Sequence, residues 1–138
     1  MRMNKMFFLI SHNKLAQGMK EAIEMIAGPK VNLQAFGLMP GDHPETVIKQ
    51  IETQITKDME VVILGDIAGG SVCNAAMRLT SLSNVVLVAG TNLPLALEIV
   101  INQVTSEKAI EALIAEDKEA MKLLNVAPAS EDSFEDFF

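Results

Sequence analysis

Two polar residues each come directly after an apolar run. His12 ends "FFLISH" and Asp66 ends "VVILGD". A carboxylate at the end of a buried run is unfavourable unless a partner or ligand interacts with it. If the two runs are adjacent parallel strands, both side chains lie in one crevice at the carboxyl edge of the sheet. A carboxylate that accepts a proton from one imidazole nitrogen leaves the other nitrogen with a free lone pair. The pair therefore predicts that His12 is a nucleophile and that Asp66 orients it.

The backbone around this pair is suited to binding phosphate, the electrophile that we expect. One predicted helix begins just after His12, and another begins at Ser71 after two glycines. Helix N-termini offer free N–H groups and the positive end of the helix dipole. Glycines let the backbone approach a ligand closely, and the Ser71 hydroxyl is a further donor. We predict phosphate binding by Ser71, Gly70, Gly69 and Asn13.

The elements that position these residues follow from an alternation of apolar runs with helical periodicity. Such an alternation indicates a parallel sheet covered by helices on both faces. The predicted fold class is α/β, a flavodoxin-like, doubly wound and mainly parallel four-stranded sheet. In that order, the first and third strands are neighbours. The predicted strands are Met6–Ile10, Val31–Phe36, Glu60–Leu64 and Val85–Ala89, with helices after each of them.

Three details of the helices are also predicted. Asp42 and Glu45 have the spacing of a capping box at the start of the second helix. The helix after Pro94 is apolar on nearly all sides, which is consistent with either a subunit interface or core packing. The last helix is expected to run from about Ser106 to Leu124. Its predicted inward side chains are Ile110, Leu113, Ile114 and Met121.

Composition limits the class of protein. A chain of 138 residues, 49% of them hydrophobic, fits one domain, predicted over residues 1–125, followed by an acidic, phenylalanine-containing tail over 126–138. The net charge of −7 argues against nucleic acid or an anionic membrane as the main partner. The apolar runs are too short for a membrane span, and "MRMNKMFFLI" is interpreted as a first strand rather than a secretory signal. A single cysteine, Cys73, suits a reducing cytoplasm.

Other proteins of this architecture fit the residues less well. A two-component receiver needs an acidic pair after the first strand to hold Mg²⁺, where this chain has Ser11 and His12. Nucleotide-binding enzymes need a glycine-rich phosphate loop of defined spacing, which does not occur in the sequence. A flavin site would usually supply aromatic side chains, but the chain has no Trp or Tyr.

Four segments carry a family resemblance: "FFLISHNKLAQGMKEAIEMIAG", "MPGDHPE", "GDIAGGSVCNAA" and "AGTNLPLALE". In this order they resemble the enzyme IIA component of the mannose class (mannose, fructose and sorbose) of the bacterial phosphoenolpyruvate-dependent sugar phosphotransferase system. The resemblance implies a cytoplasmic phosphocarrier in which His12 accepts a phosphoryl group from the histidine-containing phosphocarrier protein and passes it to a IIB component. It implies that Asp66 hydrogen-bonds the histidine and that Ser71 contacts the phosphate.

The resemblance further implies a homodimer with an additional antiparallel strand near the C-terminus and contact with the membrane only through the sugar permease. No metal or organic cofactor is expected, because phosphoryl transfer between two histidines needs no ATP site and no acidic cluster near His12 offers a place for Mg²⁺. The sequence departs from the family pattern at Ala68, where an aromatic residue is common, and at "SVCN", where "SPFN" is usual. These changes affect the rim of the site and therefore the identity of the docking partners. No IIB domain follows "APAS", so a stand-alone IIA unit is expected.

Two alternative functions stay open at this point. One is the phosphotransferase subunit of dihydroxyacetone kinases, and the other is a regulatory interaction module controlled by phosphorylation. The sequence does not indicate which sugar is transported or which IIB protein is the acceptor. His43, before Pro44 at a helix start, is not expected to take part in chemistry, and Cys73 is expected to be a small buried hydrophobic residue.

Overall fold

A computed structural model describes residues 4–117 and 120–126 of the chain. Strands and helices alternate along it, as the apolar runs predict, and a short 3-10 helix follows the third α-helix. The strands are β1 (Asn4–His12), β2 (Leu33–Leu38), β3 (Met59–Gly65) and β4 (Val85–Val88). The helices are α1 (Leu15–Ala27), α2 (Pro44–Glu52), α3 (Ser71–Ala76), the 3-10 helix Met77–Ser81, α4 (Leu93–Ile101) and α5 (Glu107–Asp117).

The four strands form one parallel sheet in the order β2-β1-β3-β4. The predicted α/β class and the predicted adjacency of the first and third strands are therefore confirmed. Ile10 of β1 is paired with Gly65 at the end of β3. The residues that follow both strands consequently emerge side by side at the carboxyl edge of the sheet, where parallel sheets bind ligands.

The core lies on both faces of this sheet, because successive residues of a strand point to opposite faces. Phe7 and Leu9 pack under α1, α4 and α5, whereas Phe8 and Ile10 pack under α2 and α3. All four side chains are buried almost completely. Full burial of a side chain of this size contributes about 1.5–3 kcal/mol, so the strand that carries His12 is rigidly held.

The last helix is shorter than predicted. It is described as far as Asp117, and residues 120–126 are not helical. Ile110 is buried and Leu113 packs against the core, as expected, but Ile114 and Met121 are exposed, so their predicted inward placement is wrong. The residues between these two are mostly charged, so they offer no apolar face to bury. Most helical stability in proteins comes from packing such a face.

The start of α2 also differs from the prediction. Its N-cap is His43, whose ring Nδ1 accepts a hydrogen bond from the backbone N–H of Glu45 at 3.2 Å. Asp42 instead accepts a hydrogen bond from the backbone N–H of Met39 in the preceding turn. Pro44 explains the difference, because its fixed φ favours the first helical position and places the cap at residue 43.

The apolar character of α4 is explained by the core of this chain. Leu95, Ile99 and Val100 are buried beneath the sheet, and Leu97 packs partly against the same cluster. Ile101 is the exception and is about half exposed. Of the two interpretations left open by the sequence, core packing accounts for this helix, and α4 gives no separate support for a subunit interface.

The C-terminal segment is described only in part. Residues 120–126 contain no strand, and the rest of the region proposed for an additional strand, together with most of the predicted tail, lies outside the described residues. Helices long and apolar enough for a transmembrane span do not occur in residues 4–117 or 120–126.

Candidate functional site

The structure brings His12 and Asp66 into direct contact at the carboxyl edge of the sheet. His12 is the last residue of β1, and Asp66 follows the last residue of β3. Oδ2 of Asp66 lies 2.9 Å from the backbone nitrogen of His12 and 2.9 Å from its ring Nδ1. The side chain of His12 is 48% exposed and that of Asp66 only 11%. The carboxylate is thus held below the surface, while the ring reaches solvent.

The electrostatics of the pair favour an ionised carboxylate. Burial by itself raises the pKa of Asp66, but the hydrogen bonds from the backbone and ring of His12, together with the charge that the ring can carry, outweigh burial and lower the pKa of Asp66 below its ordinary value. An ionised carboxylate can only accept hydrogen bonds. The proton between the two groups therefore belongs to Nδ1, and Nε2 has the free lone pair.

The loop after Asp66 packs against the histidine ring. A Cβ added at Gly70 would lie 2.9 Å from Cε1 of His12 and 2.8 Å from Cγ2 of Ile67, closer than side chains pack. The neighbouring Gly69 has a φ of 78°, a left-handed conformation that glycine adopts without strain. The side-chain amide of Asn74 donates to the carbonyl of Gly69 at 3.2 Å and fixes the loop from within α3.

Ser71, the predicted phosphate ligand, is the first residue of α3 and is exposed. The N-cap of this helix is Gly70, and no side chain caps it. Asp66 is therefore engaged with His12 rather than serving as a helix cap, the competing structural role of an aspartate at such a position. The hydroxyl of Ser71 lies on the same loop that packs against the histidine.

Backbone N–H groups in the turn after His12 already form hydrogen bonds within the protein. Ser11 is buried, and its Oγ accepts a hydrogen bond from the backbone N–H of Ala16 at 2.7 Å. Asn13 has a φ of 53° and donates its own backbone N–H to the carbonyl of Leu38 at 2.7 Å. Neither of these N–H groups is free for a ligand, so Asn13 could bind phosphate only through its side-chain amide.

Ser11 is the residue in this turn that the sequence analysis did not assign. Ser11 lies in β1, before the N-cap of α1, which is Lys14, so no helix-capping signal in the sequence identifies it. A glycine on the neighbouring strand completes the arrangement: a Cβ at Gly37 would lie 2.0 Å from the carbonyl oxygen of Asn13. The backbone after His12 is therefore fixed from inside by Ser11 and from the side by β2.

Cys73 and His43 have structural positions. Burial raises the pKa of the Cys73 thiol, and the charge of Asp66 adds to this, so the thiol stays neutral. Its sulfur occupies the space beside Gly65, where an added Cβ would lie 2.2 Å from Sγ. These facts fit the predicted small hydrophobic role. The ring of His43 caps α2 and is not part of the site around His12.

Comparison with known proteins places the chain in a family. The family described as "PTS system fructose IIA component" (EIIA-man) matches residues 6–118. The sorbose-specific EIIA component of Klebsiella pneumoniae is 35% identical over 98 residues, which cover 69% of this chain and 72% of that protein. The mannose-specific EIIAB component of Escherichia coli K12 is 26% identical over 125 residues and 86% of this chain. The chain spans only 39% of the length of that relative.

A solved structure agrees with the assignment. The PTS IIA protein associated with the fucose utilization operon of Streptococcus pneumoniae has a TM-score of 0.76 and 28% sequence identity, covering 88% of this chain and 93% of that one. The family match extends over most of the described residues, including β1, β3 and the loop that carries His12, Asp66 and Ser71. The chain therefore belongs to the mannose-class family of IIA components of the sugar phosphotransferase system.

Proposed function

We propose that this protein is a phosphocarrier that accepts a phosphoryl group on His12 from the histidine-containing phosphocarrier protein and passes it to a IIB component for sugar uptake. The observation that carries the proposal is the hydrogen bond between Nδ1 of His12 and Oδ2 of Asp66, 2.9 Å long, on a ring that is 48% exposed. It leaves Nε2 as the nucleophilic atom on the solvent side.

The reaction balances without a cofactor. The lone pair of Nε2 forms a bond to phosphorus while the bond from phosphorus to the donor's histidine nitrogen breaks, and that electron pair returns to the donor. The ring of His12 becomes an N-phosphorylated imidazolium whose proton stays on Nδ1 and is donated to Asp66 Oδ2 in a charge-assisted hydrogen bond. Transfer to the IIB acceptor runs the same step in the opposite direction and restores the free ring.

The phosphoryl oxygens would be bound by the loop that packs on the ring. Gly70 brings backbone close to the histidine ring, Gly69 adopts the left-handed conformation of the same loop, and Ser71 adds an exposed hydroxyl at the start of α3. The side-chain amide of Asn13, the residue after His12, is a further candidate donor. These groups supply hydrogen-bond donors where the negative charge of the phosphoryl group accumulates.

The surface around His12 is suited to docking another protein. Leu15 begins α1 just after the turn that follows His12, Ile67 comes directly after Asp66, and each is 54% exposed. Apolar side chains of this size next to a reactive group are typical of a protein interface. The net charge of −7 favours partners with a basic face. The proposed setting is the cytoplasm, with contact to the membrane only through the sugar permease.

The proposed homodimer rests on the edge of the sheet. β4 is an edge strand, and within the described residues no strand pairs with its outer side. A groove of about 360 Å³ lies there, lined by β4 and by α5 residues that include Ile110 and the exposed Ile114. Uncovered strand edges pair readily with other chains. Light scattering at micromolar concentration tests the dimer, and a mass near 15.0 kDa would contradict it.

The phosphocarrier proposal is tested by incubating the protein with phosphoenolpyruvate, enzyme I and the histidine-containing phosphocarrier protein, followed by intact mass spectrometry. We expect one added phosphoryl group that is labile in acid and stable in base, as a phosphoramidate is. His12→Ala should abolish labelling, and His43→Ala, the matched control, should retain it. A label that is labile in base would indicate an acyl phosphate on Asp66 and would overturn the assignment.

The acceptor decides between this function and its alternatives. Rapid transfer of the label from His12 to a mannose-class IIB protein supports a role in sugar uptake. Transfer only to a dihydroxyacetone-kinase subunit would favour that branch of the fold, and a stable label with neither acceptor would favour a regulatory module. Transfer from pre-phosphorylated carrier should also persist in excess chelator, since no step of the proposed reaction uses a metal.

A further inference from the structure

Two buried polar atoms stand out in the described part of the chain because they have no hydrogen-bond partner. They are Oδ1 of Asp66 and Oγ1 of Thr91. Asp66 thus uses one carboxylate oxygen for both hydrogen bonds to His12 and leaves the other unpaired. Buried polar atoms are nearly always paired with protein or with ordered water, so an unpaired couple requires an explanation.

Both residues line the same small cavity. It lies under the catalytic edge of the sheet, has a volume of about 10 Å³, and is otherwise bounded by Ser11, by the ends of β1 and β3 and by apolar residues of α1. A cavity of about this size has room for one water molecule, which binds there when two or more polar groups face it. Ser11 already uses its hydroxyl in the turn after His12, which leaves Asp66 and Thr91 as the side chains with free hydrogen-bonding capacity.

The backbone of Thr91 is fixed at this place. Its N–H donates to the carbonyl of Gly65, the residue before Asp66, at 2.9 Å. The next residue, Asn92, caps α4 by accepting the backbone N–H of Leu95 at 3.0 Å. Thr91 itself is only 8% exposed. The hydroxyl is therefore anchored beside the end of β3 from both directions.

We propose that one water molecule in this cavity joins the Thr91 hydroxyl to Oδ1 of Asp66, and that Thr91 is thereby a positioning residue for His12. The water donates to Oδ1, which keeps the carboxylate from turning about its Cβ–Cγ bond. Oδ2 then stays directed at the backbone and ring nitrogens of His12, and the proton stays on Nδ1. The effect on phosphoryl transfer rests on the function proposed above; the effect on the ring does not.

The test compares Thr91→Val, which keeps the shape and removes the hydroxyl, with Thr91→Ser, which keeps the hydroxyl. Thr46→Val is the matched control, because Thr46 is exposed on α2. The first readout is the ¹⁵N chemical shifts of the His12 ring in the unphosphorylated protein in mildly alkaline buffer, which report the tautomer. The second is the rate of phosphoryl transfer from pre-phosphorylated carrier protein.

We expect Thr91→Val to move His12 toward a mixture of tautomers and to slow phosphoryl transfer about three- to tenfold. A hydrogen bond to a charged group is worth about a factor of ten or more. Only part of that free energy affects the His12 ring, because the bond acts on it through Asp66. Thr91→Ser should restore both readouts, and a high-resolution crystal structure should show the water. Parental tautomer and rate in Thr91→Val would overturn the proposal, as would a serine variant as impaired as the valine one.

The two readouts keep this proposal separate from the phosphocarrier function. If the parental protein accepts no phosphoryl group but the ¹⁵N shifts still respond to Thr91→Val and recover in Thr91→Ser, the positioning role stands and the proposed function fails. If transfer proceeds and the tautomer is indifferent to Thr91, the function stands and the positioning role fails.

Discussion

Replacing Asp66 with alanine removes both hydrogen bonds that hold His12. The bond to ring Nδ1 is 2.9 Å long and has a charged acceptor, and such a bond is worth about 1.5–3 kcal/mol. Since 1.36 kcal/mol is a factor of ten in rate, its loss alone predicts a decrease of about 10- to 150-fold. A wrong tautomer adds to this, and in a serine-protease triad the corresponding change costs about 10⁴-fold. We expect phosphoryl transfer to fall about 10²-fold or more, within the range of about 10²–10⁴ typical of such groups.

The assay is rapid-quench transfer from pre-phosphorylated carrier protein, read as intact mass. Asp58→Ala is a suitable control, because Asp58 is an exposed acid just before β3, at the opposite end of the strand from Asp66. Circular dichroism should show an intact fold, since the change opens no cavity among the apolar residues. Transfer at the parental rate by a folded Asp66→Ala variant would refute the orienting role and with it the tautomer argument.

Three further outcomes are expected. Gly70→Ala should slow phosphoryl transfer with little loss of stability, because the new Cβ would lie 2.9 Å from Cε1 of His12; an unchanged rate would contradict the contact. Folding lowers the pKa of Asp66, so the contribution of this carboxylate to the free energy of unfolding should be complete at neutral pH. That contribution should disappear as the pH falls below about 4. Urea titrations of the parent and of Asp66→Asn should therefore give converging free energies of unfolding in acid. Gly65→Ala should lower the free energy of unfolding by about 1–3 kcal/mol, because the new Cβ overpacks against Cys73 Sγ. Adding Cys73→Ala should recover part of that loss in the double variant. If the losses of the two single variants simply add in the double variant, the clash is excluded.

Much of the fold could be predicted from the sequence because its signals are local. Strands buried on both faces appear as continuous apolar runs, and β3 was placed to within a residue at each end. The predicted second strand begins two residues before β2 does. Val31 is apolar, but it is fully exposed in the turn before the strand. The last helix was overextended because helical periodicity continued where no core surface remained to bury it. Periodicity shows which face is apolar, but not whether another element covers it.

The sequence predicts a site residue only when its type and its position at the end of a strand are enough to identify it. His12 and Asp66 follow apolar runs, so the parallel order of the strands was enough to bring them together. Ser11 could not be assigned, because its bond to the N–H of Ala16 spans the turn and is not a standard helix cap. Thr91 could not be assigned, because the residues around it come from segments distant in the sequence. For the same reason the sequence does not reveal that the N–H of Asn13 is already bonded: its acceptor, Leu38, is at the end of another strand. Hydrogen bonds that join distant segments leave no periodic pattern in the sequence.

The two hydrogen bonds from His12 to a single oxygen of Asp66 also constrain how the protein meets its partners. The backbone N–H and the ring of His12 both bond to Oδ2 of Asp66, so the imidazole has almost no freedom to rotate. A ring held in this way presents Nε2 at the opening where the side chain of His12 is exposed to solvent. In a phosphocarrier of this design, the donor and the acceptor must approach that opening from the same side and therefore take turns on one surface. The protein would then work as a shuttle that releases one partner before it engages the next, never as a scaffold that holds both at once.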